Sequence, residues 1–226
     1  MNQSKINNQR MLVSYPRSGH HLLEKLITGI LKAHNYRHDY CEFYGTNTDV
    51  ACGCRQTPCI NNCVIQKQHD FGASQVEQNK SDIYLVLYRT DPIEQLEAHF
   101  RYHYYKQRGK ASGPFKNISK HKIDYNDEGM IDECINFMNR FKNYYYAFVD
   151  KWVHKSQSNI LAIDYSSFVS SPKEYTIKIL DHYFPDLTFD TEIVKKVIHD
   201  LNIKYKNSIP DFVYQKLRNS FINDKT

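Results

Sequence analysis

Apolar and polar positions follow two rhythms along this chain, and the first change of rhythm comes early. Residues 10–15, RMLVSY, are a short apolar run of strand length. From Gly19 to Ala33 the apolar residues Leu22, Leu23, Leu26, Ile27, Ile30 and Leu31 recur at helical spacing. Residues 36–63 lose both rhythms and are aromatic, polar and cysteine-rich, which predicts an irregular insertion. Strand patterns return at 63–67 and most strongly at 82–88, where DIYLVLY is apolar on both faces, as central strands of parallel sheets are.

Asp91 and Pro92 supply an N-cap and a first-turn proline for the next helix. The polar, glycine-containing stretch 106–129 predicts a mobile loop over a site, followed by a helix at 130–155, a strand at 160–164 and a helix at 172–183. From Thr191 onward a helical tail carries Ile193, Val194, Val197, Ile198 and Leu201 as its packed stripe. The order β-α-β-β-α-β-α predicts an α/β fold with a central, mainly parallel sheet flanked by helices. At 226 residues and 26.8 kDa the chain suits one domain over 1–226, with the cysteine-rich insertion at 40–64 and no internal repeat.

The turn at 15–19, Tyr-Pro-Arg-Ser-Gly, joins the first strand to the first helix. Such a junction makes an anion site, because unpaired backbone N–H groups and the positive end of the helix dipole converge there. Arg17 adds a fixed positive charge with a planar fork of donors suited to phosphate or sulfate. A net charge of +5 fits an anionic ligand without amounting to the concentrated basic face of a nucleic-acid binder. The phosphate loop of nucleoside triphosphatases is missing: there is no leading glycine, and His20 and His21 stand where a lysine and hydroxyl are required. An ordinary kinase or GTPase is disfavoured. The polar N-terminus and the lack of a long apolar run predict a cytoplasmic protein with no membrane span.

YPRSGHHLL resembles the 5′-phosphosulfate loop of sulfotransferases that use 3′-phosphoadenosine 5′-phosphosulfate (PAPS), written Y-P-K/R-S-G-T-T-W-L. QKQHDF at 66–71 is similar to the segment bearing that family's catalytic base. LVLYRTDPIEQLEAHF at 85–100 resembles its 3′-phosphate strand and helix, and Trp152 with ILAIDYSSFVSSP at 160–172 resembles its W…YEdLxxdP region. The four segments keep the family's order. The resemblance implies a P-loop-like sulfotransferase fold and an enzyme that moves a sulfuryl group from PAPS to a hydroxyl, or less readily an amine, leaving adenosine 3′,5′-bisphosphate, with no catalytic metal.

By this resemblance Arg17 neutralises charge growing on the bridging oxygen and 5′-phosphate, and the backbone of Ser18, Gly19, His20 and His21 cradles that phosphate. Lys67 contacts the sulfonate and His69 takes the acceptor's proton. Leu22 gives apolar contact where the family has a tryptophan. Arg89 either binds the 3′-phosphate or pairs with Asp91 or Glu94, and Tyr165 either faces the adenine or packs in the core. Histidine suits the base role because its ordinary pKa, about 6.5, leaves it largely unprotonated at neutral pH.

The chain departs from the pattern at Glu97, where the family's 3′-phosphate serine would stand. A carboxylate there repels phosphate unless a cation intervenes, or unless it points elsewhere with His99 or Arg101 taking over. The family's C-terminal R-K-G segment has no clear counterpart beyond Lys204 and Lys206. Cys52, Cys54, Cys59 and Cys63 form C-x-C-x4-C-x3-C, which allows a structural zinc, disulfides or free thiols. The aromatic and basic run HFRYHYYKQRGK at 99–110 reads as a helix end beside a cavity, with Tyr102, Tyr104 and Tyr105 on one side, or as a base-stacking surface.

The expected acceptor is a small molecule or carbohydrate, with no nucleic-acid partner expected. Two other functions fit the residues: an inactive nucleotide-binding module of the same fold, and an atypical nucleotide or sugar kinase.

Overall fold

Parallel strands need both faces covered, and the apolar runs at 10–14, 83–88 and 160–164 supply three of the five described strands. In a computed structural model, which describes residues 9–43, 52, 54–107, 123–155, 157–203 and 209–223, the strands are β1 (Arg10–Ser14), β2 (Tyr40–Glu42), β3 (Ile65–Gln68), β4 (Ile83–Tyr88) and β5 (Ile160–Asp164). They form one all-parallel sheet in the order β2-β3-β1-β4-β5. Leu12 of β1 stands opposite Lys67 of β3 on one side and Leu85 of β4 on the other. Because the chain leaves β1 toward the β2–β3 edge and then crosses to β4, the direction of winding reverses at β1. Ligands of open α/β sheets bind beyond the carboxyl ends of the strands at such a reversal.

The helices are α1 (His20–Ala33), α2 (Pro92–Gln107), α3 (Glu128–Val149), α4 (Tyr165–Ser170), α5 (Pro172–Tyr183), α6 (Thr191–Asp200) and α7 (Asp211–Asn223). Packing divides the described residues into two compact units: one within 1–88 and 148–205, holding the whole sheet, and one within 89–147 and 206–226. The core of the sheet unit joins Leu12, Leu85, Leu87 and Ile163 to the α1 stripe of Leu23, Leu26, Ile27 and Ile30, and to Ile179 and Leu180 of α5. Each buried aliphatic side chain here is worth roughly 1.5–3 kcal/mol of transfer free energy. The second unit is more aromatic: His99 lies edge-on to Phe137 at 5.1 Å and Phe141 at 4.9 Å, and Phe100 packs on Phe137.

The strand at 160–164 and the helix at 172–183 fall where the sequence predicts them. Three features differ. The insertion contains a strand, β2, whose three residues are too few to show an alternation. The helix at 165–170 begins directly after β5, capped by Asp164, which accepts from the Ser167 amide at 2.9 Å. The long helix ends in a π-helical turn at Asp150–His154, where the buried Trp152 sits. The predicted loop's residues 108–122, and Lys204 and Lys206, lie outside the described residues. Among the described residues no helix is long and apolar enough to cross a membrane.

Candidate functional site

The junction of β1 and α1 is held in a conformation that few sequences adopt. The Ser18 amide donates to the Tyr15 carbonyl at 3.2 Å and the Ser18 hydroxyl to the same oxygen at 2.9 Å. That closes a four-residue turn with Pro16 second and Arg17 third. Arg17 has φ 71° and Gly19 has φ 89°, so two left-handed residues flank Ser18. The third position of a type II turn demands positive φ, which costs an arginine on the order of 1–2 kcal/mol. Strain of that kind persists where the surroundings enforce it, commonly at ligand sites.

Gly19 is the N-cap of α1, with no side chain capping it and no acid in the first turn. The Leu22 and Leu23 amides return to the Gly19 carbonyl, while the amides of Gly19 and His20 stand ahead of the intrahelical ladder. The ring of Tyr165, which follows β5, lies against this turn: a Cβ added at Gly19 would come within 2.3 Å of Cε2. Ser18 spends its amide on the turn itself, so of the predicted cradle it contributes shape rather than a donor.

His20 is buried, and neither ring nitrogen finds a hydrogen-bond partner among the described residues. Burial, then the positive charges of Lys67 and neighbouring groups including Arg17, keep its pKa well below the ordinary value, so the ring is neutral. It therefore buries one N–H and one lone pair with no hydrogen-bond partner among the described residues, a cost of about 1–3 kcal/mol that a polar ligand or water would relieve. His21, half-buried beside it with ring centroids 4.0 Å apart, is pushed down to about 4, first by burial and then by Lys67.

His69 follows β3 directly. Its Nδ1 lies 2.9 Å from the Ser14 carbonyl oxygen and 3.1 Å from the Ser14 hydroxyl. A carbonyl only accepts, so that contact assigns the proton to Nδ1 and leaves Nε2 as the basic nitrogen. The His20 ring stands edge-on to His69 at 4.7 Å. Lys67, on β3, is buried with its ammonium on Glu42 of β2. Burial lowers its pKa and Glu42 counteracts this. An ammonium has three donors, so one bond to Glu42 leaves capacity for an anion.

Two residues essential to this arrangement escape a reading of the sequence. Glu42 is one. Asp70 is the other: fully buried, it accepts from the Gln75 and Val76 amides at 2.6 and 2.8 Å, from Lys151 Nζ at 2.7 Å and from Trp152 Nε1 at 2.8 Å. It ties the segment after His69 to the π-helical turn. Among the described residues His20, His21 and Glu42 also offer atoms within 4.8 Å of one another, a grouping that can hold a metal ion. Lys67 already pairs with Glu42, which weakens that grouping as a cation site.

Arg17, Ser18, Gly19, His20, His21, Lys67, His69 and Tyr165 all belong to the sheet unit. Leu22 is half-buried against its core. Arg89 opens the other unit, where its guanidinium lies 3.6 Å from Glu94 and its carbonyl accepts from the Tyr145 hydroxyl at 2.8 Å. Glu97 is buried and accepts from Arg101 Nε at 3.1 Å and from the Tyr125 hydroxyl. Its charge is thus answered internally, and Arg101 is committed to it.

The known protein families hold no match to this chain, and a search of curated proteins finds none.

Proposed function

We propose that this protein is a sulfotransferase that moves a sulfuryl group from PAPS to a hydroxyl of a small-molecule or carbohydrate acceptor, with His69 as general base. The observation that carries this reading is the pairing of His20 with His69. One neutral, buried imidazole at the mouth of a helix without a side-chain cap has no hydrogen-bond partner among the described residues, and it stands 4.7 Å from a second imidazole whose tautomer leaves a basic nitrogen. An oxyanion bonded by His20 and the first amides of α1 would lie near that nitrogen. The fit to a donor phosphate rests on the His20 ring, which has no hydrogen-bond partner among the described residues, and on the positive charges of Lys67 and Arg17, both near enough to lower the His20 pKa.

The donor supplies an activated sulfuryl group; the protein supplies position and charge. Arg17 and the α1 N-terminus hold the inner phosphate and offset charge growing on the bridging oxygen as its bond to sulfur breaks. Lys67 faces the transferring oxygens. His69 Nε2 takes the acceptor's proton as the new sulfur–oxygen bond forms and later releases it to water, while the Ser14 carbonyl fixes the ring and stabilises the imidazolium.

A thermal-shift titration with adenosine 3′,5′-bisphosphate tests binding, since a ligand at a hundred times its Kd adds about 2.7 kcal/mol of stability. No shift at millimolar nucleotide counts against the proposal. His69→Ala keeps that shift and loses transfer by about 10²–10⁴-fold. Binding without transfer to a broad acceptor panel would favour the inactive module, and magnesium-dependent ATP binding the kinase.

A further inference from the structure

The insertion that breaks the pattern of the sheet unit brings its cysteines together. Cys41 lies on β2 and Cys52 bridges to it in parallel, with the Glu42 amide donating to the Cys52 carbonyl at 3.1 Å. The sulfurs of Cys41, Cys52, Cys54 and Cys59 all lie within 4.8 Å of one another. Cys41 to Cys54 is 3.6 Å, Cys52 to Cys59 is 3.7 Å and Cys54 to Cys59 is 3.8 Å, and none of the four is disulfide-bonded. Four thiolates arranged tetrahedrally about 2.3 Å from a zinc ion stand about 3.8 Å apart. A disulfide would bring two sulfurs to about 2.05 Å.

We infer that Cys41, Cys52, Cys54 and Cys59 form a structural zinc site that staples the insertion to the edge strand of the sheet. Three observations beyond the distances support it. Among the described residues the buried cluster at this point consists of cysteines alone, with no aliphatic side chain. Metal ligation is the usual substitute where a small substructure cannot bury enough carbon. Cys41, Cys52 and Cys59 are buried, which closes the site to solvent as structural zinc sites are closed.

Finally, Asn61 Nδ2 donates to Cys52 Sγ at 3.1 Å. Supporting bonds of this kind orient and stabilise metal-bound thiolates. Cys63, buried beside Cys59, lies outside the group of four. The sequence spacing alone suggests Cys63 as the fourth member; the strand pairing of β2 puts Cys41 there instead.

The test uses the full chain, produced with added zinc and purified under a phosphine reductant. Elemental analysis is expected to find about one zinc per chain. Cys41→Ser, Cys52→Ser, Cys54→Ser and Cys59→Ser each lose it or weaken it at least tenfold, while Cys63→Ser and Cys134→Ser keep it. Should the ligand variants fail to fold, cobalt exchanged into the unaltered chain gives the thiolate charge-transfer band and intense visible bands of a tetrahedral sulfur site. A folded, fully reduced chain with neither zinc nor that cobalt spectrum overturns the inference. So does an intact mass lighter by the hydrogens of one or two disulfides, or zinc lost from Cys63→Ser and kept by Cys41→Ser. Adenosine 3′,5′-bisphosphate binding by Cys63→Ser and by the zinc-loaded chain separates failure here from failure of the proposed activity.

Discussion

Two adjacent strand ends of the sheet unit treat their polar groups in opposite ways. Beyond β3, Asp70 is wholly buried and receives four donors, two from backbone amides, one from an ammonium and one from an indole. Beyond β1, His20 is also buried and receives none among the described residues. Both sites cost desolvation, and among the described residues only the first is compensated. The contrast separates a structural knot from the strand end on which the proposed binding rests: Asp70 holds a segment in place, and His20 carries an uncompensated cost that a polar ligand or water would relieve.

The largest effect is expected from breaking the knot. Asp70→Asn keeps the size but turns two donors of its new amide toward groups that already donate, and strips Lys151 of its charge partner. Breaking a buried pair of this kind costs about 3–5 kcal/mol. Chemical denaturation measures it, and a loss under 1 kcal/mol would show that the four contacts are not a stabilising unit.

Gly19→Ala attacks the receptive end through its backbone. At φ 89° an alanine is strained, and its methyl group collides with the Tyr165 ring. A loss of about 2 kcal/mol is expected, with weakened nucleotide binding, because the collision displaces the helix mouth. Gly19→Ala combined with Tyr165→Ala recovers part of that loss in thermal unfolding. No recovery means the ring is not the obstacle.

His20 and His21 give the next effect, in pH. Both titrate below the unfolded value of about 6.5, His21 near 4, so between these values the unfolded chain binds more protons than the folded one. Their stability contribution is complete above pH 6.5 and declines as pH falls, by at most about 1.4 kcal/mol per pH unit for each ring. Glu42, also held below its ordinary value, acts at lower pH. Denaturant midpoints from pH 7 to 4.5 should therefore flatten in the double variant His20→Gln, His21→Gln. An unchanged slope assigns the effect elsewhere.

Much of this contrast could be read from residues close in sequence. The apolar strand, the Pro16-Arg17-Ser18-Gly19 turn and the α1 stripe are local signals, and each lies within a residue or two of its expected place. What the sequence concealed is non-local. Glu42 reaches Lys67 because β2 pairs with β3, and a three-residue strand carries no periodicity. Asp70 resembles any loop acid until Trp152 arrives from a distant helix end. Cys41 replaces Cys63 in the group of four for the same reason, since strand pairing rather than spacing brings the sulfurs together.

The smallest change in stability is expected at the strained residue of the turn. At φ 71° Arg17 occupies a position that glycine fills without strain. Glycine also has more freedom to lose on folding, which offsets part of the relief. Arg17→Gly is therefore expected to shift stability by under about 1 kcal/mol in either direction. Its effect on adenosine 3′,5′-bisphosphate is different in kind: removing a guanidinium that bonds a phosphate costs about 1.5–3 kcal/mol, or roughly 10–150-fold in Kd. Calorimetric titration beside thermal unfolding reads both quantities from one preparation. Near-equal stability with a clear loss of affinity marks the arginine as held for the ligand. A matching loss in both would make Arg17 a structural part of the turn and return the receptive character of this strand end to His20 and the helix amides alone.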